Sequence, residues 1–284
     1  MITIESLEQL REQLAARRAA GRVAFVPTMG NLHEGHLALV REARKHADCV
    51  VASIFVNPMQ FGANEDLDKY PRTLQADQAA LAAEGVDILF TPSVSTMYPK
   101  PLADQTRVEV PHISNLYCGA SRPGHFVGVA TVVCKLFNMV QPQVAVFGKK
   151  DFQQLLVIRR MVADLAMPID IVGVDTVRDG DGLAKSSRNQ YLSEQQRRIA
   201  PQLHRQLQHL AERLGDGERD VPRLQADMRQ ALDQAGFVTD YVEIVDADSL
   251  QAMRDDSHNV AILAAAQLGG ARLIDNIEVH LNDS

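Results

Sequence analysis

An α/β architecture, a doubly wound parallel sheet followed by a smaller α+β domain, follows from three features of these 284 residues. Apolar runs too continuous for one-sided burial recur up to Val174, and segments of helical periodicity separate them. Past Arg178 the order changes to helices first and strands afterwards. Strands buried on both faces and joined through helices make parallel βαβ units, whereas grouped helices and strands form a separate α+β layer. The expected domains are therefore 1–176 and 177–284, with the charged, glycine-rich stretch 179–182 (DGDG) as the hinge.

Each element has its own signal. The N-terminus, MITIESLEQLREQL, reads as a short strand and an amphipathic helix. Residues 23–26 (VAFV) form a compact strand, ended by Pro27 and the loop TMGNLHEGH. In 37–46 (LALVREARKH), Leu37, Val40 and Ala43 share one helical face. The run 49–56 (CVVASIFV) is a buried strand, and a polar loop occupies 57–72. An alanine- and leucine-rich helix covers 73–84 and stops at Gly85, before strand 86–90. The cycle repeats as helix 127–140, strand 144–147, helix 155–165 and strand 169–174. In the last third Ser193 caps a long helix, a second helix covers 222–235, and strands fall at 240–245, 259–265 and 272–279. No internal repeat is present.

Composition narrows the function classes. Apolar types make up 46% and charged types 23%, the balance of a globular chain with a full-sized core. The formal charge of −7 offers no basic field to nucleic acid or to an anionic membrane. The longest apolar stretches, 50–56 and 260–266, fall far short of the ~18–20 residues that span a bilayer. Glu5 stands where a secretion signal would be basic, so a cytoplasmic location is expected. Three cysteines, Cys49, Cys118 and Cys134, form no CxxC pair and read as reduced thiols rather than a disulfide frame or a metal site.

In open parallel sheets ligands sit beyond the carboxyl ends of the strands, near the switch in strand order. Two loops lie at such ends. The first holds His33-Glu34-Gly35-His36 where a helix begins, and helix N-terminal amides attract phosphate. The two imidazoles, three residues apart, could donate to phosphate oxygens or act on a leaving group. HEGH is not HExxH and lacks a third ligand at helical spacing, which disfavours zinc; a purely structural capping role is the other alternative. The second loop is Gly148-Lys149-Lys150-Asp151, too short for a P-loop but cationic. A third cluster, Lys185-Ser186-Ser187-Arg188, collects hydroxyls and cations that suit anionic oxygens. No GxGxxG fingerprint occurs, which counts against a dinucleotide.

The combination of TxxxxHxGH after a long strand with a distant Lys/Ser-rich loop resembles the HIGH-motif nucleotidyltransferases, whose core is Rossmann-like. Within them PTMGNLHEGH, FVNPMQF, CGASRPGHFVGVATVVCKLFN, FGKKDFQQL and LAKSSRNQYL together resemble the pantoate–β-alanine ligase family, in order from about Thr3 to Val279. The resemblance implies condensation of pantoate with β-alanine through a pantoyl adenylate, with ATP, accompanied by Mg²⁺, yielding AMP and pyrophosphate. It implies ATP contacts from Met29, Gly30, Asn31, Leu32, His33, Glu34, Gly35 and His36, then Gly148, Lys149, Lys150 and Asp151, then Val177, Lys185, Ser186, Ser187 and Arg188. His33, His36 and Lys150 are the implied catalytic groups, with His36 in the position assigned as acid. Gln60 (pantoate and β-alanine) and Gln154 (pantoate) are implied substrate ligands, joined by Asn57. No protein-held metal is expected, the implied assembly is a homodimer, and the smaller domain is expected to close over the active site.

Lys149, Gln143 and Lys185 depart from the family's usual residues, and the two lysines add positive charge near the nucleotide segments. Arg122 and His125 in SRPGHF are polar groups of an expected active-site flap, with a structural role as the equal alternative, and neither is counted among the site residues. The alternative reading is another HIGH-type nucleotidyltransferase acting on a different small carboxylate or on a phosphorylated substrate. The latter would call for a cationic substrate pocket where this chain has the neutral amides of Gln60 and Gln154. A nucleotide-binding module without turnover would not need the intact histidines, Lys150 and Arg188.

Overall fold

Apolar runs and helical segments alternate along the first part of the chain, and in the computed structural model they become strands and the helices between them. The structure describes residues 1–62, 67, 70–254 and 256–281; within the expected polar loop 57–72, positions 63–66 and 68–69 lie outside the described residues. Two compact units are present, 1–149 with 153–175 and 150–152 with 176–284.

In the first unit the order is β1 (Ile2–Ile4), α1 (Leu7–Ala20), β2 (Val23–Thr28), α2 (Glu34–His46), β3 (Cys49–Ile54), α3 (Leu74–Ala83) and β4 (Ile88–Phe90). Then come the short α4 (Val94–Met97) and α5 (Cys118–Ser121), α6 (His125–Val140), β5 (Val144–Gly148), α7 (Phe152–Asp164) and β6 (Asp170–Val174). The strands form one six-stranded sheet in the order β1-β4-β3-β2-β5-β6, all pairs parallel. The register of β2 on β3 runs from Val23↔Cys49 to Thr28↔Ile54. Val23 to Val26 and Cys49 to Ser53 are buried without a break, on both faces, as their mostly apolar composition requires.

Helix α2 buries Leu39, Val40 and Ala43 against Ala24, Val26 and Val144. Leu39 thus takes the inward place expected for Leu37. On α6, Phe137 meets Phe25 and Phe147 edge-on at ring separations of 6.4 and 6.3 Å. Gln143 ties strand ends together: its Oε1 accepts from Val23 N at 2.8 Å and its carbonyl from Asp170 N at 2.9 Å.

The second unit contains α8 (Glu194–Ile199), α9 (Gln202–Gly215), α10 (Val221–Gln234), β7 (Val238–Asp246), β8 (Asn259–Leu268) and β9 (Ala271–His280). The three strands form an antiparallel sheet in the order β7-β8-β9. Leu203, Leu207, Leu210 and Leu214 of α9 and Leu224, Met228 and Leu232 of α10 form one core with Val242, Ile244, Val260 and Ile262. The long helix expected from Ser193 is instead two. Ser193 and Gln196 build a reciprocal cap on α8, but Pro201 has no N–H to continue the ladder, and α9 starts anew after it.

The stretch 179–182, expected to be a flexible hinge, is a pinned turn inside the second unit. Arg178 and Ala184 bridge in antiparallel fashion, Asp179 N donates to Leu183 O at 2.8 Å, and Lys185 N to Val177 O at 2.9 Å. Its acids are paired as well, Asp179 with Lys185 and Arg197, and Asp181 with Arg197. The chain passes between the units at 149/150, 152/153 and 175/176 instead.

Candidate active site

From β2 the chain builds β3 and β4 on one side and from β5 builds β6 on the other, so the strand order reverses between β2 and β5. The loop after β2 and the turn after β5 both leave carboxyl ends at this reversal, where an open parallel sheet offers its ligand crevice.

The first loop is held from beneath. Gly30 and Asn31 have φ of 81° and 52°, the left-handed region in which glycine is at ease and asparagine is tolerated. This bend turns successive amides toward the buried carboxylate of Asp77 on α3, which accepts from Asn31 N and Leu32 N, each at 2.9 Å. Thr28 Oγ1 accepts from Gly30 N at 3.2 Å and donates to Ser53 O at 2.8 Å.

Both histidines cap α2. His33 Nδ1 accepts from Gly35 N at 3.1 Å, and His36 Nδ1 accepts from His33 N at 3.3 Å. Accepting a backbone N–H requires an unprotonated Nδ1, so each neutral ring carries its proton on Nε2. The rings lie 4.2 Å apart, centroid to centroid. Gly35 makes room for them, since a Cβ there would stand 2.9 Å from His33 Cε1. Glu34 is exposed and ion-paired with Arg41. Capping through Nδ1 therefore does not exclude donation through Nε2.

Asn57 caps and Gln60 ends a 3₁₀ turn, Pro58–Gln60, and both are buried. Asn57 spends its whole amide on the protein. Its Nδ2 donates to Gln60 Oε1 at 3.0 Å and Gly128 O at 3.1 Å; its Oδ1 accepts from Met59 N at 3.2 Å and the Tyr98 hydroxyl at 2.7 Å. Burial pushes the Tyr98 phenol above its ordinary range, which keeps it a donor. Gln60 Nε2 lies 3.1 Å from Met29 Sδ, bringing the glutamine against the histidine loop. His125 Nδ1 is 2.9 Å from Gln60 O. Neighbouring glutamines on α7 divide their roles. Gln153 is buried and bonds Ile113 O, Leu116 O and Cys118 N, whereas Gln154 is half-buried and its amide has no hydrogen-bond partner among the described residues.

Gly148 ends β5, and Lys149 Nζ pairs with Asp175 at 2.9 Å. Lys185 pairs with Asp179. The charges that these two lysines add are thus matched within the fold. Lys150 is largely buried, its Nζ 3.8 Å from Asp151 Oδ1. In the second unit Ser186 caps the 3₁₀ turn Ser187–Tyr191, its Oγ accepting from Arg188 N at 3.2 Å, and Arg188 is exposed. Lys150, Ser186 and Arg188 line one recess together with His204 and Asp275. Among the described residues no three His, Cys, Asp or Glu side chains gather as a metal site.

Sequence reasoning missed Asp77, Tyr98 and the close approach at Gly128, while the structural alternative left open for His125 corresponds to its contact with Gln60 O. An aspartate in the first turn of a helix reads as a favourable dipole partner, and nothing in its spacing announces a bond to a loop 45 residues earlier.

Residues 2–278 match the family model described as pantoate-beta-alanine ligase. The pantothenate synthetase of Pseudomonas putida (strain GB-1) is 58% identical over 284 residues, covering 100% of this chain and 99% of the relative. That of Shewanella loihica (strain ATCC BAA-1088 / PV-4) is 58% identical over 278 residues, 98% of each chain. The crystal structure of pantothenate synthetase from Thermus thermophilus superposes with a TM-score of 0.92 at 49% identity, covering 99% of this chain and 100% of the other. A pantoate-beta-alanine ligase from Francisella tularensis, complexed with beta-gamma ATP and beta-alanine, gives 0.80 at 33% identity over 98% and 97% of the two chains.

Proposed function

The chain belongs to the pantoate–β-alanine ligase family and condenses pantoate with β-alanine using ATP, and from that premise we propose how its own residues divide the work. A pantoate carboxylate oxygen attacks the α-phosphorus of ATP, the bond to the bridging oxygen breaks, and pyrophosphate leaves. The amine of β-alanine then attacks the acyl carbon of pantoyl adenylate. The amide bond forms, the amine loses a proton, and AMP departs with the electron pair of the acyl–oxygen bond.

The observation that carries this reading is the histidine cap. With both Nδ1 atoms accepting backbone N–H groups, His33 and His36 present Nε2–H donors at the start of α2. We assign His36 to the phosphate that gains charge as pyrophosphate leaves, as an oriented neutral donor. Met29 to Gly35, Gly148, Lys149 and Asp151 complete the nucleotide contacts of those segments. Lys150 supplies a compact cation, and Val177, Lys185, Ser186, Ser187 and Arg188 contribute further contacts to ATP.

Gln60 and Gln154 hold pantoate through neutral amides, which both donate and accept and do not hold back the attacking carboxylate as an ammonium would. Asn57, fully occupied inside the protein, orients Gln60. Mg²⁺ enters with the ATP phosphates, as is usual for a hard cation bound mainly by substrate oxygens. A homodimer and a cytoplasmic location belong to the same proposal. Among the described residues no helix is long and apolar enough to cross a membrane.

The deciding experiment identifies the nucleotide formed from Mg-ATP and D-pantoate, with and without β-alanine. AMP and pyrophosphate, with the mass of pantothenate appearing only when β-alanine is added, are the expected products. ADP would mean phosphorylation and would overturn the role given to the histidine cap.

A further inference from the structure

Two adjacent buried residues on β9, Asp275 and Asn276, hold the turn that leads into one of the segments assigned above to ATP and the backbone of another. Asp275 accepts both ends of the Arg178 guanidinium, at 2.6 and 2.9 Å, and Arg178 Nη1 also donates to Gly182 O at 3.1 Å. This fastens the base of the tight turn that leads into Lys185-Ser186-Ser187-Arg188. Burial pushes the Asp275 carboxyl up, but His204, Arg178 and the Asn276 N–H outweigh it and hold the group ionised below the ordinary carboxylate range. Its neighbour faces another segment: Asn276 Nδ2 donates to the backbone carbonyl of Lys150 at 2.9 Å. Asn276 N in turn donates to Asp275 Oδ1 at 2.8 Å, linking the two grips.

A lysine side chain has four rotatable carbons, so the position of its Nζ depends on where its peptide is held. The peptide of Lys150 lies in a short 3₁₀ turn, Lys149–Asp151, and Asn276 fixes its carbonyl from a strand paired along its length with β8. Misplacing a transition-state cation by about 1 Å can cost on the order of 10² in rate.

We propose that Asn276 is a positioning residue for Lys150 in adenylate formation, with Asp275 holding the 185–188 loop in register with it through Arg178. This rests on the assignment of Lys150 to the ATP phosphates. In this proposal Asn276 acts through the Lys150 backbone rather than on a reacting atom.

The test compares the two half-reactions in the full-length enzyme. One is single-turnover formation of pantoyl adenylate from Mg-ATP and pantoate; the other is formation of pantothenate from pre-made pantoyl adenylate and β-alanine. Asn276→Asp keeps size and burial but removes the donor, and Asn276→Ala removes the side chain. Both are expected to slow adenylate formation at least 10-fold while leaving the second half-reaction within about 2-fold. Lys150→Ala should slow adenylate formation further, and adding Asn276→Ala to it should cost nothing more, because one residue acts through the other.

Equal loss in both half-reactions would make Asn276 a structural residue and overturn the proposal, as would no loss in either. Full additivity with Lys150→Ala would overturn it too. If Lys150→Ala itself left adenylate formation unchanged, the assignment of Lys150 would fail and the inference with it. A slow Lys150→Ala beside normal Asn276 variants would refute the inference alone.

Discussion

In the proposed mechanism His36 does two jobs with two nitrogens. Its Nδ1 closes the cap of α2, and its Nε2 carries the proton that a phosphate oxygen can accept. His36→Ala is expected to lower the single-turnover rate of adenylate formation by at least ~10² while the folded signal persists; a near-normal rate would remove His36 from the chemistry. Gln154 has a half-buried amide without a partner among the described residues, in contrast to Gln153, whose amide is committed to three backbone groups. Gln154→Ala should therefore raise the KM for pantoate and leave that for ATP within about 2-fold; the opposite pattern would mean that this amide faces the nucleotide. Residues with functional types in a local pattern, HEGH and KSSR, could be found from the sequence because a short motif carries its own spacing. Asp77 and Asn276 could not, because their partners lie 45 and 126 positions away.

At the scale of elements, the close approach of α6 to the 58–60 turn decides where Gln60 stands. A Cβ on Gly128 would fall 2.5 Å from Met59 O and 2.6 Å from the Gln60 backbone, with no flexible side-chain end to yield. Gly128→Ala is expected to lower the melting temperature and to reduce kcat/KM for pantoate, since the turn must move away from the helix. Unchanged kinetics with a lowered melting temperature would show that Gln60 keeps its place by other means. Most element boundaries followed from periodicity and capping residues. The exceptions have local causes. Pro201 splits one expected helix, and the acids of 179–182 find cations that turn a flexible-looking stretch into a fastened turn. The stretch between β4 and α6 shows its CGASRPGHF motif but no element in the sequence, because α4 and α5 each have four residues, too few for a helical period to show.

For the molecule as a whole, the pairing of half-buried Arg178 with buried Asp275 links stability to pH. The folded carboxyl titrates below the ~3.9 of an unfolded aspartate. The native state therefore binds the proton less readily, and the stabilisation is complete above about pH 4 and is lost as pH falls through the folded value. Urea unfolding across an acid pH series should show this fall in wild type and a shallower one in Asp275→Asn. At neutral pH the same variant is expected to cost about 3 kcal/mol, the low end for a buried pair, because it leaves the half-buried Arg178 guanidinium without its charge partner. Equal pH slopes in the two proteins would place the acid sensitivity elsewhere.

The sequence by itself determined the parallel sheet, the second α+β layer, and the family to which the motifs point. Strand burial, helix periodicity and short motifs are all written in neighbouring residues, and elementary packing converts them into layers. Only the tertiary structure decided which nitrogen each histidine keeps for capping, that Asn57 serves Gln60, that Lys149 and Lys185 have their charges matched, and that β9 holds the peptide of Lys150. Those outcomes depend on hydrogen bonds and ion pairs that span a few ångströms in space, several of them between groups far apart in the chain. No one-dimensional spacing encodes them until the sheets and turns have brought the partners together.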